Sequence, residues 1–253
     1  MLTFSEAQLL AWITPLAWPF LRALALFTSL PVLGTRTVPR RVRVALAAFI
    51  AWCAQPMLAA PPAVALDSPL ALGLVAQQLV IGLALGFAAR LVFAAVEYAG
   101  ELIGLQMGLN FAGFFDPVSA ASSTATSRFF GTTIAWLFIV VNGHLLVVAA
   151  LVQSFAAFPA GPEPFAFLAA VAPHRWGAEL FATGAWIALP LLTMLLFVNF
   201  VLGAISRVAP QINVFAVGFP VTLAVGLLGM LLTLPALQGP FTLALERMLG
   251  NFR

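Results

Sequence analysis

The sequence predicts an all-α, polytopic membrane protein, and three observations predict it. Of 253 residues, 63% are hydrophobic and only 8% charged, against about a quarter charged in a soluble domain. The apolar residues fall into several near-continuous runs of roughly 20, the length that crosses a bilayer core as a helix. Prolines, 18 in all, punctuate these runs, yet none falls between Pro69 and Pro117.

Taken in order, Ser5–Gln8 matches an S-x-x-Q capping box, in which the hydroxyl and the amide satisfy orphan backbone donors. The first apolar span, about 12–33, contains Pro15, Pro19 and Pro31, so kinks or breaks are expected, as neighbouring helices allow. A second span covers about 42–60 and ends on Pro56, Pro61 and Pro62. The third begins near Leu70. A helix through the whole proline-free interval would run about 70 Å at 1.5 Å per residue, more than twice a bilayer core of about 30 Å. Either it breaks at its glycines or it extends beyond the hydrocarbon layer. Asp116-Pro117 is where it should stop, because proline disfavours the helical region for the residue before it. A fourth span covers about 129–157, with Asn142-Gly143 marking a kink, a fifth about 176–204 and a sixth about 212–234. After Pro240 the tail places Phe241, Leu245, Met248 and Leu249 at helical spacing, which predicts a short amphipathic helix.

Charge is sparse and uneven. All eleven cations are arginine, and only Arg36, Arg40, Arg41 and Arg43 cluster. That loop reads as cytoplasmic by the positive-inside rule. Alternation then places Asp67 outside, the 97–128 segment inside, Pro159–Arg175 outside and Arg207 inside, with both termini outside; Arg247 and Arg253 fit that side poorly. With no dense basic surface, nucleic acid is not an expected partner. Cys53 is the only cysteine, which excludes an intrachain disulfide and a cysteine-based metal site. The first cation, Arg22, already lies inside an apolar run, so the first span is expected to be retained rather than cleaved as a signal peptide.

Chemistry-bearing residues concentrate in the third segment. At 100° per residue, Arg90, Glu97 and Glu101 fall within roughly 40° of one another, with Gly82, Gly86, Gly104 and Gly108 on or beside that face. In one reading the glycines let helices pack closely and the charges pair with a partner helix, in this chain or another. In the other, charges at membrane depth line a water-filled path or proton relay. Next comes GLNFAGFFDPVSAASSTATSRFF, from Gly108 to Phe130. Phe111, Phe114 and Phe115, with Gly113 and Asp116, either form a loop with a hydrophobic core of its own or close a pore as an apolar constriction. RVAPQINVFAVGFPV sets Arg207, Gln211 and Asn213 at the junction of two apolar segments, as an interfacial turn or as a contact surface for a cytoplasmic-side partner. His144 reads as structural beside Asn142 and Gly143, and His174 lies in a loop. No nucleophile elbow, zinc-binding helix or phosphate loop occurs, so neither enzymatic activity nor a metal or cofactor is expected.

GLQMGLNFAGFFDP (Gly104–Pro117) resembles the central motif of the FliR family, membrane proteins of the flagellar type III export gate. The resemblance runs collinearly from about residue 10 to 235, through PVLG (Pro31–Gly34), VPRRVRVALA (Val38–Ala47) and RVAPQINVFAVGFPV. It implies assembly with FliP and FliQ, next to FlhB, into a pore of tilted helical hairpins that conducts unfolded flagellar proteins across the inner membrane. The phenylalanine-rich loop would be its plug, and the location the flagellar basal body. Gln211–Asn213 also looks like the loop motif of FliQ. The implied organisation is a FliP-like part over 1–175, including the 108–130 loop, joined to a FliQ-like hairpin and tail over 176–253. The alternative from another class is a proton-coupled secondary transporter using Arg90, Glu97 and Glu101; a gate subunit of a virulence secretion system would differ from the leading reading only in substrate.

Overall fold

In the computed structural model, residues 6–35, 37–58, 69–109, 123–161, 165–211 and 213–253 are described. Among them all regular structure is helical: α1 (Glu6–Ser29), α2 (Arg40–Ala54), α3 (Pro69–Gln106), α4 (Ala125–Val140), α5 (Gly143–Ala157), α6 (Phe167–Val171), α7 (Trp176–Val208), α8 (Val214–Thr233) and α9 (Gln238–Gly250). Among the described residues, three stretches are long and apolar enough to cross a membrane: Pro69–Gln106, Phe167–Val208 and Ala216–Gly250. The pair α4 and α5 makes a fourth if counted as one broken span. α2 has only 15 residues, about 22 Å, so the expected second span falls short of the roughly 20 residues a crossing needs.

Two further expectations change. α1 is continuous across Pro15 and Pro19 instead of breaking there. α3 is also unbroken over its 38 residues, glycines included, so of the two outcomes open for it the overlong helix holds, at about 57 Å. It ends at Gln106, ten residues before Asp116. Gly108 takes the left-handed conformation with φ 78°, which glycine adopts without a Cβ penalty and which terminates helices. The kink at Asn142-Gly143 is present: Asn142 has φ 57° and separates α4 from α5. Asparagine is the non-glycine residue that tolerates this region best. The tail helix α9 buries Phe241, Leu245, Met248 and Leu249, the residues whose spacing predicted it.

The chain divides into two compact units: Met1–Leu91 with Asn142–Trp176 and Leu245–Arg253, and Val92–Val141 with Gly177–Ala244. In the first, α2 lies on α1 through Ala47, Ala51 and Ala54, and α1 lies on α3 at two glycines. A Cβ on Gly82 would stand 2.8 Å from Ala25 Cβ and overlap the Arg22 carbonyl; one on Gly86 would stand 2.7 Å from the Leu26 carbonyl and overlap Ser29 Oγ. Trp176 meets the rings of Phe87 and Phe252, each with centroids 6.0 Å away. In the second unit, Phe93 stacks edge-on with Phe138 at 5.4 Å and Phe241 at 5.7 Å. There Gly100 of α3, Gly184 of α7 and Gly226 of α8 play the same close-approach role. A Cβ on Gly100 would come 2.8 Å from Ser127 Cα, one on Gly184 2.6 Å from the Ala95 carbonyl, and one on Gly226 2.5 Å from Met107 Cγ.

Replacing Gly82 with Ala is predicted to cost about 1–3 kcal/mol, because the methyl meets backbone that must shift. Gly73→Ala has nothing within 4 Å of its new Cβ and should be neutral or stabilising by about 0.5–1 kcal/mol through helix propensity. Thermal unfolding of the two variants in detergent measures the difference; equal midpoints would refute the close-packing account.

Candidate functional site

The proposed plug residues Phe111, Gly113, Phe114, Phe115 and Asp116 lie outside the described residues, but the two stems of their segment are described. On one side, Gly104 lies in the last turn of α3 and Met107, just beyond the helix, is fully buried. On the other, Thr124 caps α4 by accepting the Ser127 amide on Oγ1 at 3.2 Å. A hydroxyl at this position satisfies one of the free amides of the first turn.

These stems are joined in the second unit by a carboxylate. Glu101 Oε1 accepts the Thr124 amide at 2.9 Å. A negative group there also meets the positive end of the α4 dipole, so Glu101 finds a helix terminus where charge pairing alone would call for a cation. Gly104 makes room for the contact: a Cβ on it would overlap Thr126 Oγ1, which itself shares a hydrogen bond with Thr124 Oγ1 at 3.0 Å. Glu97 lies one turn earlier beside Gly131, whose Cβ would stand 2.9 Å from Glu97 Oε1. Beyond it, Gln106 at the end of α3 accepts from Asn199 Nδ2 of α7 at 3.4 Å. Arg90 is exposed on the same helix. Along the stripe, Gly82, Gly86 and Gly104 are sites of close approach and Glu101 makes a hydrogen bond, while Arg90 and Glu97 are exposed.

At the α7–α8 junction, Arg207, Gln211 and Asn213 are all exposed. Asn213 Oδ1 accepts the Ala216 amide at 3.3 Å, a side-chain cap that starts α8. Arg207 is in the last turn of α7 and Gln211 and Asn213 follow it, and the helices on either side carry outward apolar side chains: Phe200 is 74% and Leu232 70% exposed.

A polar cluster that the sequence reading did not single out lies in the first unit. Arg22 of α1 is fully buried. Its Nε donates to Gln78 Oε1 at 2.8 Å, Nη1 to Ser154 Oγ at 2.9 Å and Nη2 to the Phe158 carbonyl at 2.9 Å. The guanidinium carbon lies 3.8 Å from the Phe155 ring centroid. Gln78 in turn donates to Gln77 Oε1 at 3.2 Å, and Gln77 Nε2 donates to the Pro159 carbonyl at 3.3 Å. The cation is thus held by neutral acceptors, an aromatic face and the negative end of α5. The signal was an arginine in an apolar run, which must be paired when buried. Its partners are 56 to 136 residues away, beyond what spacing reveals. Among the described residues, no group of three or more His, Cys, Asp or Glu is placed to hold a metal ion.

The family model described as bacterial export proteins, family 1, matches residues 13–248. The chain is 43% identical over 241 residues to the flagellar biosynthetic protein FliR of Escherichia coli, covering 95% of this chain and 92% of that one. It is 40% identical to FliR of Pectobacterium carotovorum, with the same coverages, and 31% identical to FliR of Bacillus subtilis, covering 90% of this chain and 91% of that one.

Replacing Arg22 with Met is predicted to lower stability by about 2 kcal/mol or more, since buried acceptors lose their donor. Combined with Gln78→Leu, the loss should fall short of the sum of the single changes by about 0.5–3 kcal/mol. A double-mutant cycle on unfolding midpoints reads this coupling; additive losses would show that the cluster is not one unit.

Proposed function

The chain belongs to the FliR family of the bacterial export proteins, family 1, and on that footing we propose that it is a membrane subunit of the flagellar protein export gate. Collinear similarity over 95% of the chain is the observation that carries this reading. With FliP-like and FliQ-like subunits, and an FlhB-like neighbour, it forms a pore that conducts unfolded flagellar proteins across the bacterial inner membrane. Residues 1–175 are the FliP-like part, and 176–253 the FliQ-like hairpin with Arg207, Gln211 and Asn213 at its turn. The chain performs no covalent chemistry; it shapes a path.

Within that path, the segment holding Phe111, Phe114, Phe115 and Asp116 acts as the plug. The Glu101–Thr124 bond supports the reading, because it ties together the two stems from which the segment departs. Large phenyl rings in a narrow lumen exclude water and so block ions, while a chain in transit displaces them. Arg90 and Glu97, both exposed on α3, are the groups through which this face meets neighbouring subunits. The packing of Gly100 and Gly104 against α4 favours this over a proton-coupled carrier, for which the stripe would have to line water.

Deleting Phe111–Phe115 is predicted to raise ion leakage through the assembled gate while leaving assembly intact. Conductance of membranes carrying the gate measures it, and unchanged leakage in an assembled complex would remove the plug assignment.

A further inference from the structure

We propose that α2 is a docking surface for anionic phospholipid, with the lipid phosphate at Arg40 and Arg41 and the acyl chains along Phe49 and Trp52. The inference rests on the membrane placement above and is independent of the plug.

α2 has two contrasting sides. Its buried residues are alanines alone, Ala47, Ala51 and Ala54, turned toward α1. At 100° per residue, Phe49 and Trp52 stand about 200° and 140° away from Ala47, and they are 59% and 65% exposed. Met57, just beyond the helix, is 76% exposed. A helix that seats only alanines and leaves its large side chains outward is made for a second apolar environment.

Charge then selects the occupant. Arg40 and Arg41 open the helix and are exposed, and neither guanidinium has a described acceptor; Arg43 is half-buried and donates to the Val38 carbonyl at 3.3 Å. From Thr35 to Leu58 the sequence contains no acidic residue, so nothing nearby along the chain neutralises this end. Positive charge at a helix N-terminus also opposes the dipole, a local cost that an external anion would relieve. The arginines lie at one end of the helix and the aromatics farther along it. From Arg41 to Trp52 is about 16 Å of helix, close to half the roughly 30 Å hydrocarbon core. A phospholipid has that layout: one anionic head, then an apolar chain of that length. Free phosphate would use only the arginines and leave the aromatic face bare.

The test uses the full chain purified in mild detergent and offered an equal mixture of phosphatidylglycerol and phosphatidylcholine, with retained lipid identified by native mass spectrometry. Wild type should retain phosphatidylglycerol preferentially, and the preference should fall about five-fold for each arginine in Arg40→Gln and Arg41→Gln. Both side chains are exposed, so unfolding midpoints should not move; if the double variant misfolds, Arg41→Gln alone carries the comparison. Trp52→Ser should lower retention of both lipids. Equal retention by wild type, an unchanged preference in the variants, or displacement by inorganic phosphate would overturn the proposal. So would a photo-crosslinker at position 52 that captures only protein in native membranes.

Discussion

Close approach along α3 is the constraint on which the other helices depend. A 38-residue helix in an apolar environment gains little from the hydrophobic effect when other apolar helices dock on it, because lipid tails are equally apolar. Association must come from packing and from satisfied polar groups. Removing the Cβ at Gly82 and Gly86 lets backbone meet backbone in the first unit; in the second, Gly100 does the same and Gly104 admits the Thr126 side chain. The stripe that reads in sequence as one feature therefore serves two different helices, α1 and α4.

This division explains why the charges on the stripe have unlike environments. Glu101 is drawn to a helix start because Gly104 brings α4 within reach of it, and the amide of Thr124 is an orphan donor at that point. Arg90 and Glu97 are exposed, although Glu97 also lies against Gly131 of α4. Charge exposed on a helix apolar enough to cross a membrane is costly unless it finds a partner.

Much of the architecture was legible. Runs of apolar residues located the helices, and the spacing of Phe241, Leu245, Met248 and Leu249 gave the buried side of α9, because a 3.6-residue period reports which face is covered. Asn142-Gly143 announced its break. The end of α3 was misplaced since Pro117 only sets an outer limit to a helix, whereas Gly108 ends it earlier by conformation. α1 passed through two prolines because tertiary packing outweighs the loss of two backbone donors. The stem contact of Glu101 was beyond reach for a further reason: the face could be read from phase, but the helix that would meet it could not.

Arginine solves opposite problems at its buried and exposed positions, and the contrast explains the choice of residue at Arg22. A lysine ammonium is a compact, strongly hydrated charge that makes hydrogen bonds from a single atom. Arg22 instead reaches a glutamine on α3, a serine on α5 and the carbonyl that follows α5 from three separate nitrogens, with its flat face against Phe155. Spreading the charge over a plane lowers the cost of removing it from water, and the fork fixes three chain segments in one geometry. Because Gly82 sits against the carbonyl of this same residue, close packing of α1 on α3 and pairing of its cation are set at one point. An apolar residue would keep the contact but not the orientation, and a lysine would keep the charge but not the three-way tie.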